Sequence, residues 1–152
     1  MATASQGDEL IDVVIRLPRK AIEDTLLTAQ RSSQESDGGR LAAAKAILSG
    51  RRRRFTQFTG VRFYDQSWDM ILELYVATRE QHVVAVSQLC SLSGGSTTTA
   101  LRHIENIEAL GYISRGPDPN DRRRLIVTMQ PVLGDALDHW LDLQLGAERL
   151  GV

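Results

Sequence analysis

The stretch Gly111-Tyr112-Ile113-Ser114-Arg115-Gly116-Pro117-Asp118-Pro119-Asn120-Asp121-Arg122-Arg123-Arg124 decides how this chain is read. Gly111 suits the left-handed position just past a helix, where a Cβ is unwelcome. Tyr112 to Arg115 is strand-like. Residues 116–121 are dense in Gly, Pro, Asp and Asn, which supply the torsions and local hydrogen bonds of a turn. Leu125-Ile126-Val127-Thr128-Met129 then reads as a second, β-branched strand. The spacing predicts a hairpin whose proline-stiffened tip carries three arginines.

Upstream of this hairpin the period is helical. Ala100, Ile104, Ile107 and Leu110 form one apolar stripe that ends at Gly111. Ser96 or Gly95 can cap that helix, and Ser93-Gly94-Gly95 is a turn. Before the turn, Ser87 can cap a brief helix from Gln88 to Leu92, preceded by an extended Val83-Val84-Ala85-Val86. A short helix, a glycine-bearing turn and a longer helix make a helix-turn-helix. Farther upstream, Trp68, Ile71, Leu72, Tyr75 and Val76 give the face of a helix that Asp65 or Ser67 can cap. The apolar positions 41, 44, 48, 55 and 58 keep roughly helical spacing until Gly60. Downstream, Pro131 opens a last helix to about Leu145, with Leu133, Leu137, Trp140 and Leu141 on its apolar face.

The N-terminal part is of another kind. In Leu10 to Leu17 the apolar Ile11, Val13, Ile15 and Leu17 recur at period two, blurred by Val14, and predict a short strand. Pro18 opens a helix with Ile22, Leu26 and Ala29 on one face, and Arg31 to Gly39 reads as a polar, glycine-ended linker. The expected organisation is an extension and linker over 1–39 and a winged-helix DNA-binding and dimerisation domain over 40–150. The expected fold class is mainly α with a small β-hairpin wing (α+β), a winged helix-turn-helix with flanking dimerisation helices.

Composition limits the function. The chain has 152 residues, 42% hydrophobic and 24% charged, as in an ordinary soluble domain. No apolar run reaches the ~20 residues of a membrane span, and no secretory leader is evident. Cys90 is alone, so no internal disulfide framework exists; a reducing cytoplasm and a packed, inert thiol are expected. His82, His103 and His139 lack metal-ligand spacing. No nucleophile motif, phosphate loop or paired-carboxylate signature is present, so neither an enzyme nor a cofactor is expected.

Net charge is −1, but its distribution is uneven. Residues 40–64 hold seven basic groups and no acidic ones, and residues 96–129 are also net positive. Local field rather than net charge steers a polyanion. The Arg51–Arg54 run covers all sides of its helix, since consecutive residues step ~100° apart. Some of these arginines are therefore expected to pair with acids or lie in water.

The residues expected to meet DNA follow from the helix and the hairpin. The N-terminus of the second helix of a helix-turn-helix meets base edges in the major groove. Here it reads Ser96-Thr97-Thr98-Thr99, and Thr98 and Arg102 share the face opposite the apolar stripe. Arginine can grip guanine with two hydrogen bonds, and hydroxyls can bond phosphates or bases. Capping hydroxyls and a solvated Arg102 are the plain alternative. Asp121, Arg122, Arg123 and Arg124 sit on a narrow projecting tip, which suits a minor groove whose negative potential attracts arginine. If the second strand has begun, Arg122 and Arg124 share a face and Arg123 points the other way.

These segments, with Trp68 to Tyr75, Ser87 to Cys90 and Thr98 to Arg102, resemble MarR-type (multiple antibiotic resistance) transcription regulators in order and spacing over roughly residues 40 to 145. The resemblance implies a long helix in the major groove, a wing arginine in the minor groove and an intertwined homodimer. It matches Arg102 to the recognition-helix arginine, and Asp121 and Arg123 to the wing's Asp-x-Arg pair. It also implies a small-molecule effector, though no residue identifies one. The implied partner is double-stranded DNA. The alternatives are a winged-helix protein-interaction module without DNA binding, and a small-molecule sensor with a secondary DNA role.

Overall fold

The computed structural model describes residues 16, 18–61 and 65–150. Among the described residues five helices and three short strands follow one another: α1 Arg19–Gln57, α2 Gln66–Arg79, β1 Val84–Ala85, α3 Val86–Leu92, α4 Thr97–Ala109, β2 Ile113–Pro117, β3 Leu125–Met129 and α5 Pro131–Leu150. This is a winged helix-turn-helix with flanking helices. Most of the strand expected over residues 10–17 lies outside the described residues.

The largest departure from expectation is α1. The predicted linker over 31–39 is helical, and α1 runs through it for 39 residues. No proline lies between Pro18 and Pro117, so nothing there forces a break. Gly38 and Gly39 each cost ~1 kcal/mol relative to alanine in a helix interior. Ion pairs of Arg40 with Asp37 (3.2 Å) and Asp142 (2.7 Å) anchor the helix beside them. Residues 1–35 and 36–152 form two separate compact units. In the first, the described residues are exposed, including Ile22 at 45% and Leu26 at 59%.

The second unit holds the core. Ala44 and Leu48 of α1 meet Met70, Leu72, Leu74 and Tyr75 of α2, Leu89 of α3, and Ala100, Ile104 and Ile107 of α4. Ile113, Val127, Leu133, Leu137 and Leu141 complete it from the hairpin and α5. Each leucine, isoleucine, valine or methionine among them contributes about 1.5–3 kcal/mol of transfer free energy when fully buried. The α2 face is shifted: Met70 and Leu74 are buried, whereas Trp68, Ile71 and Val76 are partly buried around the rim. Trp68 meets Trp140 edge to face, with ring centroids 4.8 Å apart. Leu110 and Phe58 were expected on apolar faces but are 62% and 52% exposed; Leu110 is a C-cap and Phe58 lies past the end of α1.

The sheet is antiparallel in the order β1-β3-β2. Ile113 opposes Met129, Arg115 opposes Val127, and Pro117 opposes Leu125. Val84 pairs with Val127 on the other side of β3, which ties the hairpin to the start of α3. No helix among the described residues is long and apolar enough to cross a membrane.

A polar knot joins α1, α2 and α5. The buried Tyr75 hydroxyl donates to Asp138 Oδ1 at 2.6 Å, and Arg79 bonds both oxygens of Asp138 at 2.7 and 2.6 Å. Burial, and then the hydrogen bond to Asp138, push the Tyr75 phenol up to about 12. Arg40 Nε and Nη2 bond the two Asp142 oxygens at 2.8 and 2.7 Å, which holds that carboxyl below its ordinary range.

Candidate nucleic-acid interface

The helix-turn-helix is built by α3, the turn 93–96 and α4. Ser87 is not the cap of α3: the helix starts at Val86, two residues earlier than expected, with Ala85 at the cap position and the Gln88 side chain accepting from the Ala85 N–H at 3.4 Å. Gly94 (φ +67°) and Gly95 (φ +97°) take the left-handed torsions that the turn requires. Gln66 at the start of α2 donates to the Gly94 carbonyl. Its side chain fills the space where a Cβ on Gly95 would stand. The turn is thereby held to α2 by a buried amide, a contact that sequence periodicity does not reveal.

Ser96 caps α4. Its Oγ accepts from the Thr99 N–H at 3.2 Å and lies 2.8 Å from Thr99 Oγ1. Thr97, Thr98, Arg102 and Glu105 are exposed on α4, opposite the buried Ala100, Ile104 and Ile107. Arg102 has no hydrogen-bond or ion-pair partner among the described residues. The next residue, His103, is half-buried, with Nδ1 2.7 Å from Ser67 Oγ on α2. Cys90 on α3 is buried, and burial raises its thiol above the ordinary value.

The hairpin tip is a closed loop. The Asp118 N–H donates to the Arg124 carbonyl at 2.9 Å, and the Arg124 N–H to the Asp121 carbonyl at 2.9 Å. Asp118 is buried, and its Oδ1 accepts from the Asn120 N–H at 2.9 Å. Arg122 and Arg123 therefore occupy the two central positions of a tight turn, and β3 begins only at Leu125. The expectation that strand alternation separates Arg122 and Arg124 from Arg123 is corrected: no strand exists at those residues. Asp121 Oδ1 accepts from the Arg123 backbone N–H at 3.0 Å rather than from its guanidinium, so Asp121 shapes the turn. Arg124 lies 3.7 Å from Asp118 Oδ2 and is tied toward the base of the loop. Arg122 and Arg123 are exposed, with no side-chain partner among the described residues.

Glu108 and Arg115, which sequence reasoning missed, link helix to hairpin. Glu108 Oε1 accepts from the Arg115 N–H at 2.9 Å, and Oε2 from Nε at 2.9 Å and Nη2 at 2.6 Å. The Arg115 guanidinium holds the Glu108 carboxyl below its ordinary range. Their seven-residue separation across Gly111 is the signal that was available.

The basic segment at 40–64 is mostly spent internally. Lys45 pairs with Glu80, Arg51 with Asp69, and Arg52 with Glu73, all acids of α2 or its C-cap. No group of three or more His, Cys, Asp or Glu side chains capable of holding a metal occurs among the described residues.

No protein-family model matches the sequence, and no curated protein matches it. Solved structures do. The chain is similar to S. aureus MepR in its DNA-binding conformation, at 14% identity over 70% of this chain and 74% of that one, with a TM-score of 0.49. It is similar to MarR at 18% identity over 88% and 80%, with a TM-score of 0.45. It is also similar to the heme sensor PefR of Streptococcus agalactiae, solved with heme, at 11% identity over 88% and 80%, with a TM-score of 0.45. The chain's own elements make it a winged helix-turn-helix, and in solved structures it is similar to MarR and its like.

Proposed function

We propose that this protein is a dimeric, sequence-specific DNA-binding regulator that sets α4 into the major groove and the hairpin tip into the adjacent minor groove. The observation that carries the reading is the contrast among its arginines. Among the described residues, Arg102, Arg122 and Arg123 are exposed without partners on the helix and tip, whereas Arg40, Arg51, Arg52, Arg79 and Arg115 are bound to acids. Guanidinium groups left open on a recognition helix and a projecting turn suit base edges and a narrow groove. Thr97 and Thr98 stand beside Arg102 as further contacts. Ser96 and Asp121 act mainly by shaping the backbone, and Arg124 reaches phosphate from the base of the loop.

The dimer is supported by apolar side chains left open on the terminal helices. Leu143 and Val132 of α5 are 57% and 54% exposed. A groove between α1 and α5 is lined by Gly39, Ala42, Ala43, Ala46, Trp140 and Leu145. Two-fold pairing places recognition helices about 34–36 Å apart, one DNA turn. In this reading residues 40–150 carry DNA binding and dimerisation and 1–39 are an extension. That is a division of role, since α1 crosses it. The test is selection of bound duplexes from random DNA, followed by titration of the selected site with light scattering on the same samples. The expected result is a twofold-symmetric site bound by a dimer. No selected sequence, or a monomeric mass at micromolar concentration, contradicts it.

A further inference from the structure

We infer that Glu108 is a positioning residue that sets the reach of the hairpin tip relative to α4, so that helix and tip engage DNA together; this rests on the DNA-binding reading above. The covalent link between α4 and β2 is only Leu110, Gly111 and Tyr112. Gly111 sits at φ +79°, and the link closes on α4 through the Gly111 N–H to the Glu108 carbonyl at 2.9 Å and the Tyr112 N–H to the Ile107 carbonyl at 3.2 Å. The Glu108 contact joins the attachments that Ile113 and Val127 make in the core and that β3 makes to β1, and adds a direct side-chain link from α4 to β2. β2 is an outer strand, paired only with β3, and the Arg115 N–H is turned to Glu108 instead of to a strand. Both carboxylate oxygens are used, one on the backbone and one on the guanidinium fork. Such a forked contact is strict in geometry. Glu105 adds to the negative field at Arg115.

From Arg115 the constraint runs outward along the ladder. Arg115 opposes Val127, Pro117 opposes Leu125, and the tip is closed by the Asp118–Arg124 and Asp121–Arg124 backbone bonds. Arg122 and Arg123 therefore sit at the end of an arm to whose root Glu108 adds a fixed contact. Two contacts on one scaffold reinforce each other in proportion to how often the second is correctly placed when the first is made. Fixing the arm removes the orientations in which the tip misses its groove. The pair is a quarter to a third exposed, so it contributes little to global folding. Its consequence lies in aim.

The experiment measures duplex affinity of the full chain for the selected site with A·T or G·C flanks. The proteins are the parent, Glu108→Gln, Arg123→Ala and the double variant. Glu108→Gln keeps the shape but cannot present two anionic acceptors. It is expected to weaken binding to the A·T-flanked site about fivefold, the penalty of a loosened second contact. It is expected to cost less once Arg123 is replaced by alanine, because Arg122 is then the tip contact that remains. Arg115→Lys, which keeps charge and loses the fork, is the second variant and should show the same pattern. Melting temperatures should stay within about 3 °C of the parent, since one partly exposed pair carries little stability. Equal losses from Glu108→Gln with and without the Arg123→Ala change, or none in either case, overturn the positioning role and leave the DNA-binding reading standing. A parent without duplex affinity overturns both.

Discussion

Two arginine runs, Arg51–Arg54 in α1 and Arg122–Arg124 at the hairpin tip, look alike as sequence and differ in what the fold places opposite them. In α1 the helical step aims consecutive side chains in different directions, and α2 presents acids to two of them. Arg51 reaches the buried Asp69 and Arg52 reaches Glu73. At the tip the backbone turns back on itself, and the nearby acids are consumed by the turn. Asp121 bonds the Arg123 backbone, and Asp118 bonds Asn120 and lies near Arg124. What decides the fate of a charge run is what the fold places opposite it. Arg51 and Arg52 of the first run tie α1 to α2, whereas Arg122 and Arg123 of the second stay exposed, and the proposed reading gives these two to DNA.

The comparison breaks most sharply at Arg51. Its side chain is 14% exposed and that of Asp69 12% exposed. Arg51→Ala strands a buried carboxylate, and about 3 kcal/mol of stability should be lost in urea unfolding, as for other buried pairs deprived of one partner. The folded fraction should bind DNA like the parent. A variant as stable as the parent shows that the pair is solvated.

On the other side, Arg102→Ala should leave stability unchanged. It should reduce discrimination between the selected site and unrelated DNA by about 1–3 kcal/mol, the worth of a two-pronged base contact. Equal losses on both duplexes mean that Arg102 touches only phosphate. Thr98→Ala should act in the same direction with a smaller effect.

Much of the fold was legible because its signals are local. The apolar stripe of α4, the left-handed Gly111 at its end, the turn residues of the tip and the β-branched run of β3 are each fixed by neighbours within a few positions. The linker reading of 31–39 failed for a complementary reason. Serine and glycine make a helix weaker but do not forbid it, and Arg40 is anchored by Asp142, 102 positions away. Long-range pairs of this kind, like Gln66 with Gly94 or Tyr75 with Asp138, carry no periodicity. At the candidate site, exposed Arg102, Arg122 and Arg123 follow from helical phase and turn chemistry. The roles of Asp121 in the backbone and Arg124 near Asp118 do not, because they depend on where β3 begins.

A smaller effect sharpens the contrast through pH. Asp142 is held below its ordinary 3.8 by Arg40, so the pair stabilises the fold above that value. The contribution is lost as pH falls below 3.8 through the depressed value in the folded state. Arg40→Gln should lower stability at pH 7 by roughly 1 kcal/mol or less, given the exposure of Asp142. The difference from the parent should vanish in strong acid. A difference that persists there assigns the loss to packing of the Arg40 stem.

The most direct measurement is the salt dependence of duplex binding for the parent, Arg52→Ala and Arg123→Ala. Both variants remove one exposed guanidinium from the same chain. Each phosphate-neutralising charge contributes about 0.9 to the slope of log affinity against log salt on duplex DNA. Arg123→Ala is predicted to lower the slope by about that amount, and to bind A·T-flanked sites with less preference. Arg52→Ala, whose charge is engaged by Glu73, is predicted to keep the parent's slope. Equal slopes for the parent and Arg123→Ala, or a loss at Arg52 as large as at Arg123, would contradict the division of labour between the two runs.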